Sequence, residues 1–153
     1  EGKDTSDIPI GVLRFVCVSD DRAEIKRYVD GARYQQRIAV ALRSRQETLV
    51  DDYMVDEVGF EGEPPLDRVE RNILAGGAEH VAERLCEEIE LYGPSHMNIY
   101  FQVGDVSSAT ALSSMEAFST EVLPRVEKHF GKPIAEINPI QLPEAKSIAM
   151  AAE

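Results

Sequence analysis

Apolar residues come in short blocks along the chain, and their spacing changes from block to block. GVLRFVCV (11–18) is rich in β-branched and aromatic residues without polar alternation, which predicts a strand buried on both faces, as in a parallel sheet. Ser19 and Asp20 follow as cap candidates, and DRAEIKRYVDGARYQQRIAVALRSR then reads as one long helix. Ile25, Val29 and Ala32 fall at helical spacing, and Ile38, Ala41 and Leu42 carry the stripe onward. Gly31, in the middle of this run, is either a local weakness or a bend.

The pattern breaks down over residues 46–65, where acids, two glycines and Pro64-Pro65 surround Tyr53, Met54 and Phe60. Loops of this length are usually disordered or functional lids. The three apolar residues suit the underside of a lid over a substrate pocket, and equally the anchors of a connecting loop. Residues 65–70 suit one or two helical turns. After Gly76 and Gly77, the residues Val81, Leu85 and Ile89 line one helical face, with Ala82 and Cys86 beside them, and Gly93-Pro94 ends that helix. HMNIYFQVG (96–104) predicts a second buried strand. Ser107 and Ser108 then offer a cap for a helix whose apolar face is Leu112, Met115, Phe118, Val122 and Val126, with Pro124 as a kink or interruption. From Pro133 onward the chain is punctuated by prolines and reads as a surface tail, so residues 1–132 form the body and 133–153 the tail.

Strand, long helix, loop, helix, strand and helix, in that order, signal an α/β architecture. Two strands do not make a self-sufficient parallel sheet, so other chains or a larger fold are expected to supply more.

Composition narrows the functional classes. The 153 residues suffice for one domain with a core, 43% are hydrophobic and there is no Trp. With 28 acidic against 16 basic residues the net charge is -12, which repels nucleic acid and anionic membranes. No apolar run is long enough for a membrane span, and the polar start EGKDTSDIPIG does not read as a signal peptide. Cys17 and Cys86 lie far apart in apolar patterns without a C-x-x-C, as expected of buried free thiols in a reducing, cytoplasmic setting.

The doubled glycine is the first site candidate. Glycines tolerate positive φ and let a ligand approach the main chain, and a helix start offers unpaired N–H groups with the positive end of the dipole. That combination suits an anion of the phosphate type, while a plain turn would also use two glycines. There is no G-x-G-x-x-G and no following Lys, so a nucleotide-triphosphate loop is excluded, and Glu79 in the first turn sits poorly beside an anion. His80, His96 and His129 are scattered without metal-ligand spacing. No G-x-S-x-G is present, and Ser113-Ser114 falls mid-helix, where a place on the helix surface or in packing is the expected role. Asp51-Asp52 and Glu87-Glu88 read as solvated faces.

Taken in order, RFVCVSDDRAEIKRYVDGARYQQRIAVALRSR, NILAGGAEHVAERL, HMNIYFQVG and SSMEAFSTEVLPRV resemble the C-terminal part of bacterial luciferase-like flavin monooxygenases. The matching residues are Gly76, Gly77, Ala78, Glu79 and Val81, then Ser114, Met115, Glu116, Phe118 and Pro124, over residues 10–130. Where that family commonly carries Ser or Thr and then Pro after the first glycine, this chain has Gly77 and Ala78, so a phosphate-binding hydroxyl is absent. The resemblance implies the last part of a (β/α)₈ barrel, which typically needs about 250 residues, with GVLRFVCV as strand seven and HMNIYFQV as strand eight. It further implies oxidation of a small organic substrate by O₂ with reduced FMN from a partner flavin reductase, or, alternatively, a deazaflavin-dependent oxidoreductase of the same superfamily. Gly76, Gly77 and Ala78 would hold the phosphate, with charge from Arg71. Tyr53 and Phe60 would close over the substrate, and Gln102 and Gly104 would face the pocket. Catalytic residues would lie outside this sequence, and the chain alone would be inactive: either a fragment missing its N-terminal barrel half or a subunit of an assembly such as a homo-oligomer. The rival reading is a non-catalytic α/β module for binding or assembly.

Overall fold

The computed structural model describes residues 8–44, 49–51, 53–54 and 59–139. In chain order the elements are β1 (Gly11–Val18), α1 (Arg22–Ser44), β2 (Leu49–Val50), β3 (Tyr53–Met54), α2 (Leu66–Asn72), β4 (Leu74–Gly76), α3 (Ala78–Tyr92), β5 (His96–Tyr100), α4 (Ser108–Ala117), a π-helical turn (Phe118–Val122), α5 (Leu123–Phe130) and a short 3₁₀ turn (Ile134–Glu136). No described helix is long and apolar enough to cross a membrane.

The main sheet is parallel, three-stranded and ordered β4-β1-β5. β5 pairs with the first part of β1, from Gly11↔His96 to Phe15↔Tyr100, and β4 pairs with the last part, from Val16↔Leu74 to Val18↔Gly76. Side chains alternate across the strands and so feed two cores. Val16, Val18 and Leu74 pack with Val81, Leu85 and Ile89 of α3 and with Phe118, Val122 and Val126. Cys17 packs on the other face with Ile25, Tyr28, Val29 and Ala32 of α1, Val69 of α2, and Val103 and Val106. Helices therefore lie on both faces, and the fold is α/β.

Because β5 stops pairing at Tyr100, two N–H groups on that side of β1 need other partners. Val16 N–H donates to Tyr28 Oη at 2.9 Å, and the Tyr28 hydroxyl in turn donates to the Tyr100 carbonyl. Val18 N–H donates to Ser114 Oγ at 2.8 Å. Ser114 is buried, so of the two expected roles the mid-helix serine takes the packing one, with a hydrogen bond added.

Five expectations change. Leu74–Gly76 is a third strand, too short for periodicity to reveal. Neither β1 nor β5 is buried throughout: Leu13 is 48% and Tyr100 44% exposed, because the helices cover only the carboxyl-terminal half of the second face. β5 also has no strand on its outer edge among the described residues. The loop at 46–65 contains an antiparallel β2–β3 pair, Leu49↔Met54 and Val50↔Tyr53. On α4 the buried residues are Ala111 and Ser114, while Leu112 and Met115 are exposed, since small side chains let the helix approach the end of β1. Past Pro133 the chain does not simply run over the surface, because Ile137 packs into the α3–α5 core. Residues 140–153 of the tail lie outside the described residues.

Other local expectations hold. Gly93 ends α3 in the left-handed region at φ 54°, and Ser107 caps α4 by accepting from Thr110 N–H. The Pro124 interruption appears as the π-helical turn immediately before it, which carries the apolar face across the missing N–H. Gly31 has a packing reason: a Cβ there would lie 2.8 Å from the Val103 carbonyl oxygen. The cap of α1 is an exception: neither Ser19 nor Asp20 supplies it, and Asp21 Oδ1, the next residue along, accepts from Ala23 N–H at 2.8 Å.

Candidate functional site

β1, β4 and β5 run parallel, so the loops after them leave the same edge of the sheet, the edge at which α/β proteins place ligands. The doubled glycine sits there. Gly76 closes β4 at φ 147°, a conformation open to glycine, and its carbonyl accepts from Ser19 N–H at 3.0 Å. This bond joins the β1 and β4 loops. A Cβ on Gly76 would come within 2.9 Å of the His80 ring, so the imidazole covers the glycine closely.

Gly77 is the N-cap of α3, a helix of 15 residues, and no side chain caps it. Its carbonyl accepts from Val81 N–H at 3.0 Å, which starts the helix, while Ala78 and Glu79 form the first turn. The dipole of an α-helix carries about half a positive charge at this end. A Cβ on Gly77 would clash with Asp20 Oδ1, so the carboxylate stands against the glycine where any side chain would begin. The rim around the glycines is acidic. Ser19 Oγ donates to Glu24 Oε2 at 2.7 Å and accepts from Asp21 N–H at 3.0 Å.

The other sequence-predicted residues are not gathered at these glycines. Arg71 Nη1 donates to Asp67 Oδ2 at 2.7 Å, one turn back along α2, and both side chains are largely exposed. That bond is the main reason the Asp67 carboxyl lies below the usual carboxylate range. Gln102 Nε2 donates to the Val106 carbonyl at 3.1 Å, bracing the loop after β5. Gly104 packs against α1: at φ 55° its Cβ would lie 2.7 Å from Gly31 Cα, so close approach explains the glycine. Tyr53 contributes backbone to β3, and its side chain lies outside the described residues. Phe60 is half-buried, and its carbonyl accepts from Glu63 N–H at 3.1 Å. Glu63 is bound to α1 through Arg37, whose Nη2 donates to Glu63 Oε2 at 2.9 Å. The Arg37 bond holds the Glu63 carboxyl below its ordinary range.

Sequence patterns did not point to Asp20 or His80 as neighbours of the glycines. The available signal was Ser-Asp-Asp directly after a strand, which reads as a helix cap; only the β1–β4 pairing turns it into part of a site. Cys17 is no nucleophile candidate, since burial, and then the Glu24 charge, push its thiol up to about 11.

No family model matches the chain. It is similar to the uncharacterized protein y4vJ of Sinorhizobium fredii, with 35% identity over 132 residues, 86% of this chain. The match spans 38% of that relative, so the chain corresponds to well under half of its length.

Proposed function

We propose that the chain is the C-terminal part of a luciferase-like flavin-dependent monooxygenase, with residues 76–78 receiving the FMN phosphate. The observation that carries this reading is the uncapped start of α3 directly behind Gly76 and Gly77, at the carboxyl edge of a parallel sheet. Two further facts support it. β1 and β5 are parallel neighbours, as strands seven and eight of a (β/α)₈ barrel would be. β4 pairs with residues 16–18, and among the described residues no strand pairs with the first part of that β1 edge, which leaves it open to another strand. The greater length of the relative leaves room for such strands, which a longer chain or a partner subunit would supply.

Reduced FMN, delivered by a flavin reductase, would supply the electrons for oxidising a small organic substrate with O₂. The part of this chain is to bind and orient: backbone N–H groups of the first turn of α3 hold the phosphate, and Asp20 sets the charge that it meets. Arg71 contributes only by leaving Asp67. A deazaflavin carries its own phosphate and would use the same loop. A second reading, a non-catalytic α/β binding or assembly module, is favoured by the Asp20 carboxylate against Gly77, which opposes an anion.

Titrating the purified protein with FMN and with riboflavin, followed by flavin fluorescence, separates the readings. FMN is expected to bind more tightly than riboflavin. Gly77→Asp should weaken FMN by about tenfold or more and Asp20→Asn should strengthen it, both with little effect on riboflavin. Equal effects on both ligands would sink the phosphate role, and no affinity for either flavin would leave the binding module.

A further inference from the structure

The outer edge of β5 carries a surface suited to burial that the described residues leave open. His96 N–H donates to the Ile10 carbonyl, and the Tyr100 carbonyl accepts from Tyr28, which also bonds Val16 of β1. The even-numbered residues of β5 therefore turn their backbone groups towards β1. The N–H and C=O groups of Met97 and Ile99 point the other way, to an edge on which no strand pairs among the described residues. Two clefts, of about 230 and 400 Å³, follow each other along β5 and share Ile99 in their walls. Met97, Phe118 and Leu123 line the first, and Tyr100, Leu112 and Met115 line the second.

The helical wall of this trough is incompletely covered in the same place. Leu112, Met115, Phe118, Val122 and Val126 form one apolar face in the sequence, but only the last three are buried, and Leu112 is 62% exposed. An apolar stripe that runs on past its core, beside unpaired strand groups, fits an added strand. Backbone hydrogen bonds would hold that strand, and every second side chain would enter a cleft. A second copy of this chain is a poor occupant, because two molecules of net charge -12 repel each other. Further polypeptide of the same protein is the better one, since the matched region is 38% of the length of y4vJ.

We infer that the trough along the outer edge of β5 receives a strand from another part of a longer polypeptide, with apolar residues at alternate positions. The inference shares with the flavoenzyme reading only that greater length, and it needs no cofactor. Amide hydrogen exchange tests it on the 153-residue chain and on the polypeptide purified from its native source. The amides of Met97 and Ile99 should exchange at least about tenfold more slowly in the native polypeptide, while those of Asn98 and Tyr100, facing β1, are protected in both. Leu112→Glu should leave the melting temperature of the 153-residue chain within about 2 °C and lower that of the native polypeptide by about 5 °C or more. A native polypeptide no longer than this chain, or equal exchange at 97 and 99 in the two proteins, overturns the inference. So does an equal effect of Leu112→Glu on both; slow exchange in both would put this chain's own residues or a second copy in the trough. Failure to bind flavin removes the cofactor reading and leaves these amides unaffected, so the two readings fail separately.

Discussion

At Val16 and Val18 the middle strand gives two buried N–H groups to side chains from different helices. Val16 is fully buried, so removing the Tyr28 hydroxyl leaves a donor without water or protein to accept from it. Such a group costs about 1–3 kcal/mol. Tyr28→Phe, and separately Ser114→Ala, are each expected to lower stability by about that amount in urea denaturation, with the slope unchanged. A loss below about 0.5 kcal/mol for both would mean that the strand simply re-pairs, and the bridging role would be wrong. Gly31 shows the same dependence on a close neighbour. Ala would improve helix propensity by about 1 kcal/mol, but overpacking against Val103 costs about 1–3 kcal/mol, so glycine is retained where the helix rule disfavours it.

Elements with long periodic patterns were legible in advance: α1, α3 and the Gly93 stop, the Ser107 cap, and the two strands that pair as β1 and β5. β4 was not, because three residues ending in glycine carry no alternation; its strand character comes from the pairing with residues 16–18. The glycine loop was legible as a helix start, but Asp20 beside it was not, since residues 21–76 separate Asp20 from Gly77 and only the sheet joins them. α2 is held by polar contacts that sequence spacing does not reveal. Arg22 binds Glu70, and Arg37 binds Glu63 just before the helix. These bonds hold both carboxyls below their ordinary range. Depressed folded values mean that the unfolded chain binds protons first as pH falls. The contribution is therefore complete above the ordinary carboxylate range and is lost as pH drops through the folded values. The pairs are exposed or partly so, and the effect is local and modest. Hydrogen exchange, corrected for its intrinsic pH dependence, should show α2 and residues 59–65 losing protection on acidification while residues 16–18 keep theirs. Simultaneous loss in both places would assign the acid sensitivity to the core instead.

Over the whole molecule, polar contacts cannot offset the charge imbalance. Acids outnumber bases by 28 to 16, and most of the observed ion pairs are exposed, each worth about 0–1 kcal/mol. Folding gathers this excess into a smaller volume, so long-range repulsion opposes the folded state. The same field opposes an anionic ligand, which is why a phosphate site here depends on backbone N–H groups at close range. Arg14–Glu88, at 2.5 Å with 26% and 13% of the side chains exposed, and Arg37–Glu63, with 19% and 18%, are the counter-examples, and salt should hardly touch them. Raising KCl from about 0.01 M to about 0.15 M shortens the screening length from about 30 Å to about 8 Å. That suppresses repulsion between distant acids far more than attraction within pairs in contact. The melting temperature should therefore rise with KCl over this range. A fall would mean that the ion pairs, Arg14–Glu88 and those around α2, contribute more to the fold than the net charge of -12 takes away.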